Sequence, residues 1–403
     1  MMQRKYSNIF HSLAAGVFRL ELPVGEAPTS HPRWTPRLAN ALLLTSIAGY
    51  KAVMTEVETL SGDFTRAPST PGGWIASPGF DLTFFILSPL AGLALLFISP
   101  LDRTKVIHLA AATLIGGPHY FATYSFYFWD DTAAYHRRRW VAYFVVPILI
   151  ILAVGGIAWF KIPVVIIVVI YFWNAYHVAR QSCGIQSIYR YCAGAFDPRL
   201  KTVTNAAIIS TNVAMAVAHL DWYPTLYGFL SKLSPYLPDL LSNGAALVAA
   251  VSVVRLAIAM FQRHGQGPSF RAAELAFLAT SLLLFHPYLW VHDADLATLG
   301  MLVGHFIQYL GIVWLLNSRK LADGTGSLGQ RALSRLWRDP WVLVPALVAT
   351  GALFMMLQVN LMAVTITLVL LHFYLDSLFW AFKQPEVRRA MAPYLTDEAY
   401  GRR

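Results

Sequence analysis

The stretch Asp295-Leu-Ala-Thr-Leu-Gly300-Met-Leu-Val-Gly-His305-Phe-Ile-Gln-Tyr-Leu310-Gly-Ile-Val-Trp-Leu-Leu-Asn317 decides the class of this protein. It is longer than the roughly 20 helical residues that cross a hydrocarbon layer, it carries a charge only at Asp295, and a histidine sits at its middle. Working outward, similar apolar runs fall at 82–99, 106–128, 140–160, 163–184, 204–222, 244–261, 271–291, 341–358 and 360–382. The runs are continuous and rich in Leu, Val, Ala and Ile, so they lack the alternation of a membrane β-barrel strand. Across all 403 residues 57% are hydrophobic and 13% charged, which excludes a large soluble catalytic domain. The expected architecture is all-α, a polytopic transmembrane bundle of about ten spans over residues 82–382.

Cytoplasmic loops collect Lys and Arg, and that bias sets the orientation. The segments 137–139, 180–201, 263–271, 319–338 and 383–403 hold nineteen basic residues, against four in the intervening connections (Arg103, Lys105, Lys161 and Lys232). Both chain ends are then expected in the cytoplasm, with residues 383–403 as a basic tail and 1–81 as a cytoplasmic or interfacial segment. Within the latter, 38–54 is apolar but short and contains Lys51, which fits an interfacial or re-entrant helix better than a crossing. Arg19 and Glu21 interrupt the apolar run near the start, so no removable signal peptide is expected. The composition fits a bacterial cytoplasmic (inner) membrane protein.

The net charge of +10 is explained by basic loops facing anionic membrane lipids, and no nucleic-acid motif is present. Cys183 and Cys192 are too few for a disulfide framework. The loop Asp323-Gly324-Thr325-Gly326 lacks the Lys-Ser/Thr of a phosphate-cradling loop.

Ionisable groups inside a membrane are costly and mark function. Among the twelve histidines, His119, His177, His305 and His372 fall within four different spans that run in the same direction. Counted at about 1.5 Å per residue, the four share a layer roughly 9 to 18 Å above the cytoplasmic face. That coincidence points to metal ligation from several helices. Polar neighbours lie at helical spacing: Gln181 four residues after His177, Gln308 three after His305, and Asp376 four after His372. Gln181, Gln308 and Asp376 are therefore expected to hold the imidazole tautomers, with Asp376 also a candidate ligand and a candidate partner for Arg255. The structural alternative is interhelical hydrogen bonding without chemistry. His286, His292, Asp293 and Asp295 gather at the outer span ends, and His136 and His219 fall in loops or near span ends with no assigned role.

Four imidazoles without thiolates suit iron, copper or zinc, and burial favours redox chemistry. The leading expectation is a non-haem iron oxidoreductase acting on an apolar lipid or isoprenoid, with an electron donor as a further partner. Two alternatives stand beside it. One is a haem b electron-transfer protein, with Gly116, Gly117, Gly304 and Gly311 admitting a macrocycle; the other is a transporter or channel with a polar intramembrane path.

The segment Ile115-Gly116-Gly117-Pro118-His119 resembles the Gly-x-Pro-His turn of the Brp/Blh family of membrane carotene dioxygenases. The likeness covers five residues. It implies a polytopic membrane enzyme whose iron is held by histidines from different helices, with His119 as one of the ligands.

Overall fold

A computed structural model describes residues 71–98, 110–159, 163–193, 197–263, 270–320, 322, 326–360, 362–382 and 384–395. The expected interfacial helix at 38–54 and the end of the basic tail lie outside these residues. Every regular element among the described residues is helical, and none is a strand.

The helices are α1 (Pro78–Asp81), α2 (Ser88–Ile98), α3 (Gly117–Ala122), α4 (Asp130–Arg138) and α5 (Val146–Trp159). They continue with α6 (Pro163–Cys192), α7 (Pro198–Val217), α8 (Pro224–Leu233), α9 (Leu237–Arg263) and α10 (Ala272–Leu283). The last five are α11 (Ala294–Lys320), α12 (Leu328–Arg338), α13 (Pro340–Asn360), α14 (Met362–Phe379) and α15 (Pro385–Met391). Local chemistry sets several starts. Asp197 accepts from the backbone N–H groups of Arg199 and Leu200 and precedes Pro198, a pairing suited to a first helical turn. Ser327 caps α12 in the same manner, accepting from Gln330 N–H.

The expected unbroken spans are corrected in part. Among the described residues, helices Leu237–Arg263, Ala294–Lys320 and Pro340–Leu357 are long and apolar enough to cross a membrane, and the number rises to 5 if each bent pair is one crossing. One bent pair joins Pro78–Ile86 to Ser88–Ile98 at 47°, and the other joins Asp130–Arg138 to Val141–Ile157 at 96°. Where single helices were expected over 82–99, 106–128 and 140–160, π turns occupy Leu82–Ile86, Ala112–Gly116 and Val141–Val145. Each contains the residue four before a proline: Phe85 before Pro89, Leu114 before Pro118, Tyr143 before Pro147. A proline ring cannot donate to that carbonyl and collides with it in a regular α-helix, and a widened turn relieves the collision.

Helix α11 is the central element, with 72% of its most apolar window buried, while α9 is peripheral at 6%. Leu247, Val248, Val251, Val254, Ile258 and Phe261 give α9 an exposed apolar face that hydrocarbon tails would cover. Against α11 packs α2, and glycine makes the approach possible. A Cβ on Gly92 would land on the carbonyl oxygen of Gly300, and one on Gly304 would stand 3.0 Å from Pro89 Cα. Gly300 and Gly304 form a Gly-x-x-x-Gly step, the small-residue surface used for close helix contact in membranes. Gly92→Ala is expected to destabilise the protein by about 1–3 kcal/mol, because backbone and not a flexible side chain must yield. Thermal unfolding in detergent, compared with Gly79→Ala at a site with nothing nearby, provides the measurement.

Candidate metal centre

His119 owes its position to the three residues before it. Gly116 faces Phe306 of α11, where a Cβ would be 3.0 Å from the ring, and Gly117 faces Gly351 of α13, where it would be 2.8 Å from Cα. The paired glycines let α3 sit against both helices. These contacts and the Gly304–Pro89 contact fill with protein the places where glycine was expected to admit a macrocycle; a Cβ on Gly311 would likewise meet Phe84.

The structure brings together the imidazoles of His119 (α3), His177 (α6), His305 (α11) and His372 (α14), with residue exposures of 0%, 8%, 1% and 0%. One ring nitrogen from each lies within 4.8 Å of the others. His372 is central, its Nε2 standing 2.9 Å from His119 Nε2 and 3.2 Å from His177 Nε2. Phe306 packs against His119 and Phe373 against His177, both at 4.5 Å between ring centres.

His372 belongs to a buried hydrogen-bonded network with Thr123, Tyr309 and Asp376. Thr123 Oγ1 donates to Asp376 Oδ1 at 3.0 Å, and Tyr309 OH donates to the same oxygen at 2.6 Å. Thr123 Oγ1 also stands 2.6 Å from Tyr309 OH and 2.7 Å from His372 Nδ1; with Asp376 ionised, a state that only accepts, the Thr123 proton goes to Asp376 and its oxygen is left to accept from His372 Nδ1. His372 then carries its proton on Nδ1 and presents a lone pair at Nε2, toward the other imidazoles. One in-plane lone pair cannot serve two donor rings, and the buried Nδ1 atoms of His119 and His305 have no hydrogen-bond partner. The cluster does not satisfy itself.

A cation at its centre resolves that conflict. With metal–nitrogen bonds of roughly 2.0–2.1 Å, adjacent ligand nitrogens stand about 3 Å apart and opposite ones about 4 Å. The 2.9 and 3.2 Å separations fall at the first value. The second carboxylate oxygen, Asp376 Oδ2, lies 3.8 Å from His372 Nε2 and 3.9 Å from His177 Nε2, beside where positive charge would rest. The donor set and its surroundings thus fit a metal ion.

Other expectations are redistributed. Gln181 does not bond the His177 ring; its Nε2 donates to the backbone carbonyl of His305, at 3.1 Å. Gln308 donates to the Phe85 carbonyl at 3.0 Å, tying α11 to the π turn at Leu82–Ile86. Both amides join backbones, since neighbouring-helix carbonyls lie within their reach. The Asp376–Arg255 pairing does not form: Arg255 is exposed on α9, and Asp376 is buried against Thr123 and Tyr309. His136 lies on α4 rather than in a loop, 3% exposed and 4.3 Å from the Tyr143 ring. His219 stacks on Trp222 with ring centres 4.0 Å apart, and His292 meets the same ring at 3.9 Å in a tilted contact.

Thr123, which carried no expectation, and Tyr309 complete the network around His372. Tyr309 sits four residues after His305 on α11, a spacing that places it on the same face; Thr123 has the same relation to His119. Losing such an outer hydrogen bond typically costs 10–100-fold in metal affinity. Thr123→Val is therefore expected to weaken binding by about that factor while Thr123→Ser retains it, measured by competition with a chromogenic chelator.

No protein-family model matches the chain, and neither does any curated protein or solved structure.

Proposed function

We propose that this protein is an integral membrane oxidoreductase whose iron is held by His119, His177, His305 and His372 and whose substrate is an apolar lipid or isoprenoid reached from within the bilayer. The observation that carries this reading is the convergence of four buried ring nitrogens within 4.8 Å. In this reading the chain crosses a bacterial cytoplasmic membrane about ten times, the bent pairs included, with both termini inside. The five-residue likeness to the Brp/Blh-type carotene dioxygenases adds support, since His119 is one of the four.

Iron in such a site supplies one-electron chemistry toward dioxygen. The chain's own residues supply the rest. Phe306 and Phe373 exclude water from the imidazoles, Thr123 orients His372, and Asp376 places one negative charge beside the cation. Tyr309 holds a proton on its hydroxyl in contact with that carboxylate. A porphyrin is disfavoured on space, because Phe306, Gly351, Pro89 and Phe84 fill the places beside Gly116, Gly117, Gly304 and Gly311 that a macrocycle would need.

Elemental analysis and a visible spectrum of the detergent-purified protein test the proposal together. The expected result is about one iron per chain with no Soret band. A Soret band would establish haem instead, a stoichiometric zinc content would remove the redox assignment, and a metal-free protein would remove the centre altogether.

A further inference from the structure

Helix α12 connects α11 to α13, two helices that are each long and apolar enough to cross a membrane. It therefore lies at the end of both, where hydrocarbon gives way to water. Its apolar side is already engaged, with Leu333 and Trp337 buried in the protein core. Its other side presents Arg331, Arg335 and Arg338, spaced by four and three residues on one face and all exposed. These guanidinium groups line an open cleft of about 540 Å³ with Ser334, Asp339 and Pro340.

The charge in the cleft is uneven, three cations to one carboxylate. Asp339 Oδ1 is already engaged, accepting from Trp341 N–H at 2.9 Å. Arg331 donates one N–H to the Gly326 carbonyl at 2.8 Å, and Arg338 donates one to the Ala322 carbonyl. A guanidinium has five N–H donors, so these contacts fix the side chains and leave donors for an anion. Apolar surface flanks the basic face: Trp341 is 89% exposed at the start of α13 and Leu328 is 77% exposed at the start of α12. Tryptophan favours the headgroup level, and arginine binds phosphate in a bidentate fork.

We propose that this cleft binds the phosphate headgroup of an anionic phospholipid, Arg331, Arg335 and Arg338 holding the phosphate while Trp341 meets the glycerol and upper acyl region. This site is separate from the histidine cluster and does not depend on which metal the cluster holds.

The test is native mass spectrometry of the whole, metal-loaded protein in detergent, titrated with phosphatidylglycerol, with phosphatidylcholine and with inorganic phosphate. One phosphatidylglycerol is expected to bind about ten-fold more tightly than phosphatidylcholine, since the three guanidinium groups attract its net negative charge. The R331Q/R335Q/R338Q variant is expected to lose that preference while keeping its helicity and metal content. Should the triple variant not fold, R335Q alone is expected to lose part of the preference. An unchanged preference in either variant overturns the proposal, as does equal binding of the two lipids by the wild type. Displacement of the lipid by millimolar inorganic phosphate would mean that the cleft takes free phosphate and would also overturn it.

Discussion

His372→Ala is expected to empty the centre. Its Nε2 is the nitrogen that approaches two of the other three imidazoles, at 2.9 and 3.2 Å, and its Nδ1 links the cluster to Thr123 and Asp376. Removing it deletes one donor atom and detaches the hydrogen-bonded carboxylate, so bound metal is expected to fall from about one per chain to less than about a tenth after dialysis, well beyond the 10–100-fold loss for an outer contact. The missing ring leaves a void beside the remaining three, and added imidazole is expected to restore part of the metal content. Metal retained at the wild-type level would show that His372 is not a ligand.

Glu274→Ala is expected to produce the largest loss of stability. Glu274 Oε1 lies 3.3 Å from Arg190 Nε, and the two side chains are 1% and 2% exposed. Arg190 also rests 5.6 Å from the Phe270 ring. Taking away one partner of a buried pair leaves a charge without compensation and costs about 3–5 kcal/mol. Replacing both, as Arg190→Met with Glu274→Leu, is expected to recover most of that loss, because well-packed apolar residues can stand in for a buried pair. Unfolding in mixed micelles followed by tryptophan fluorescence compares the single and double variants. The pair joins α6 to α10 at a distance from the metal ligands, so metal content per folded protein is expected to stay constant.

The helical class and the four buried histidines were legible because each depends on one chain segment at a time: an apolar run either is long enough or is not, and a histidine inside it stands out. Relations between segments were not legible. Gln181 and Gln308 look like imidazole partners when each helix is considered alone, yet both reach carbonyls on neighbouring elements. Thr123 is an ordinary residue in sequence, and its role comes from α14 bringing His372 and Asp376 to its hydroxyl. Arg255 was placed inside because depth along a helix says nothing about direction around it; the side chain projects from the outer surface of α9. The helix breaks did leave a trace. Pro89, Pro118 and Pro147 each follow a π turn by a few residues, and the Gly300–Gly304 step announces the close contact with α2.

That contact has a mechanical consequence. Where Gly92 and Gly300 meet, main chain lies on main chain, and prising the two helices apart would bare peptide groups to an oily surrounding that cannot solvate them. This seam is a weld, and it holds the His305 wall in place.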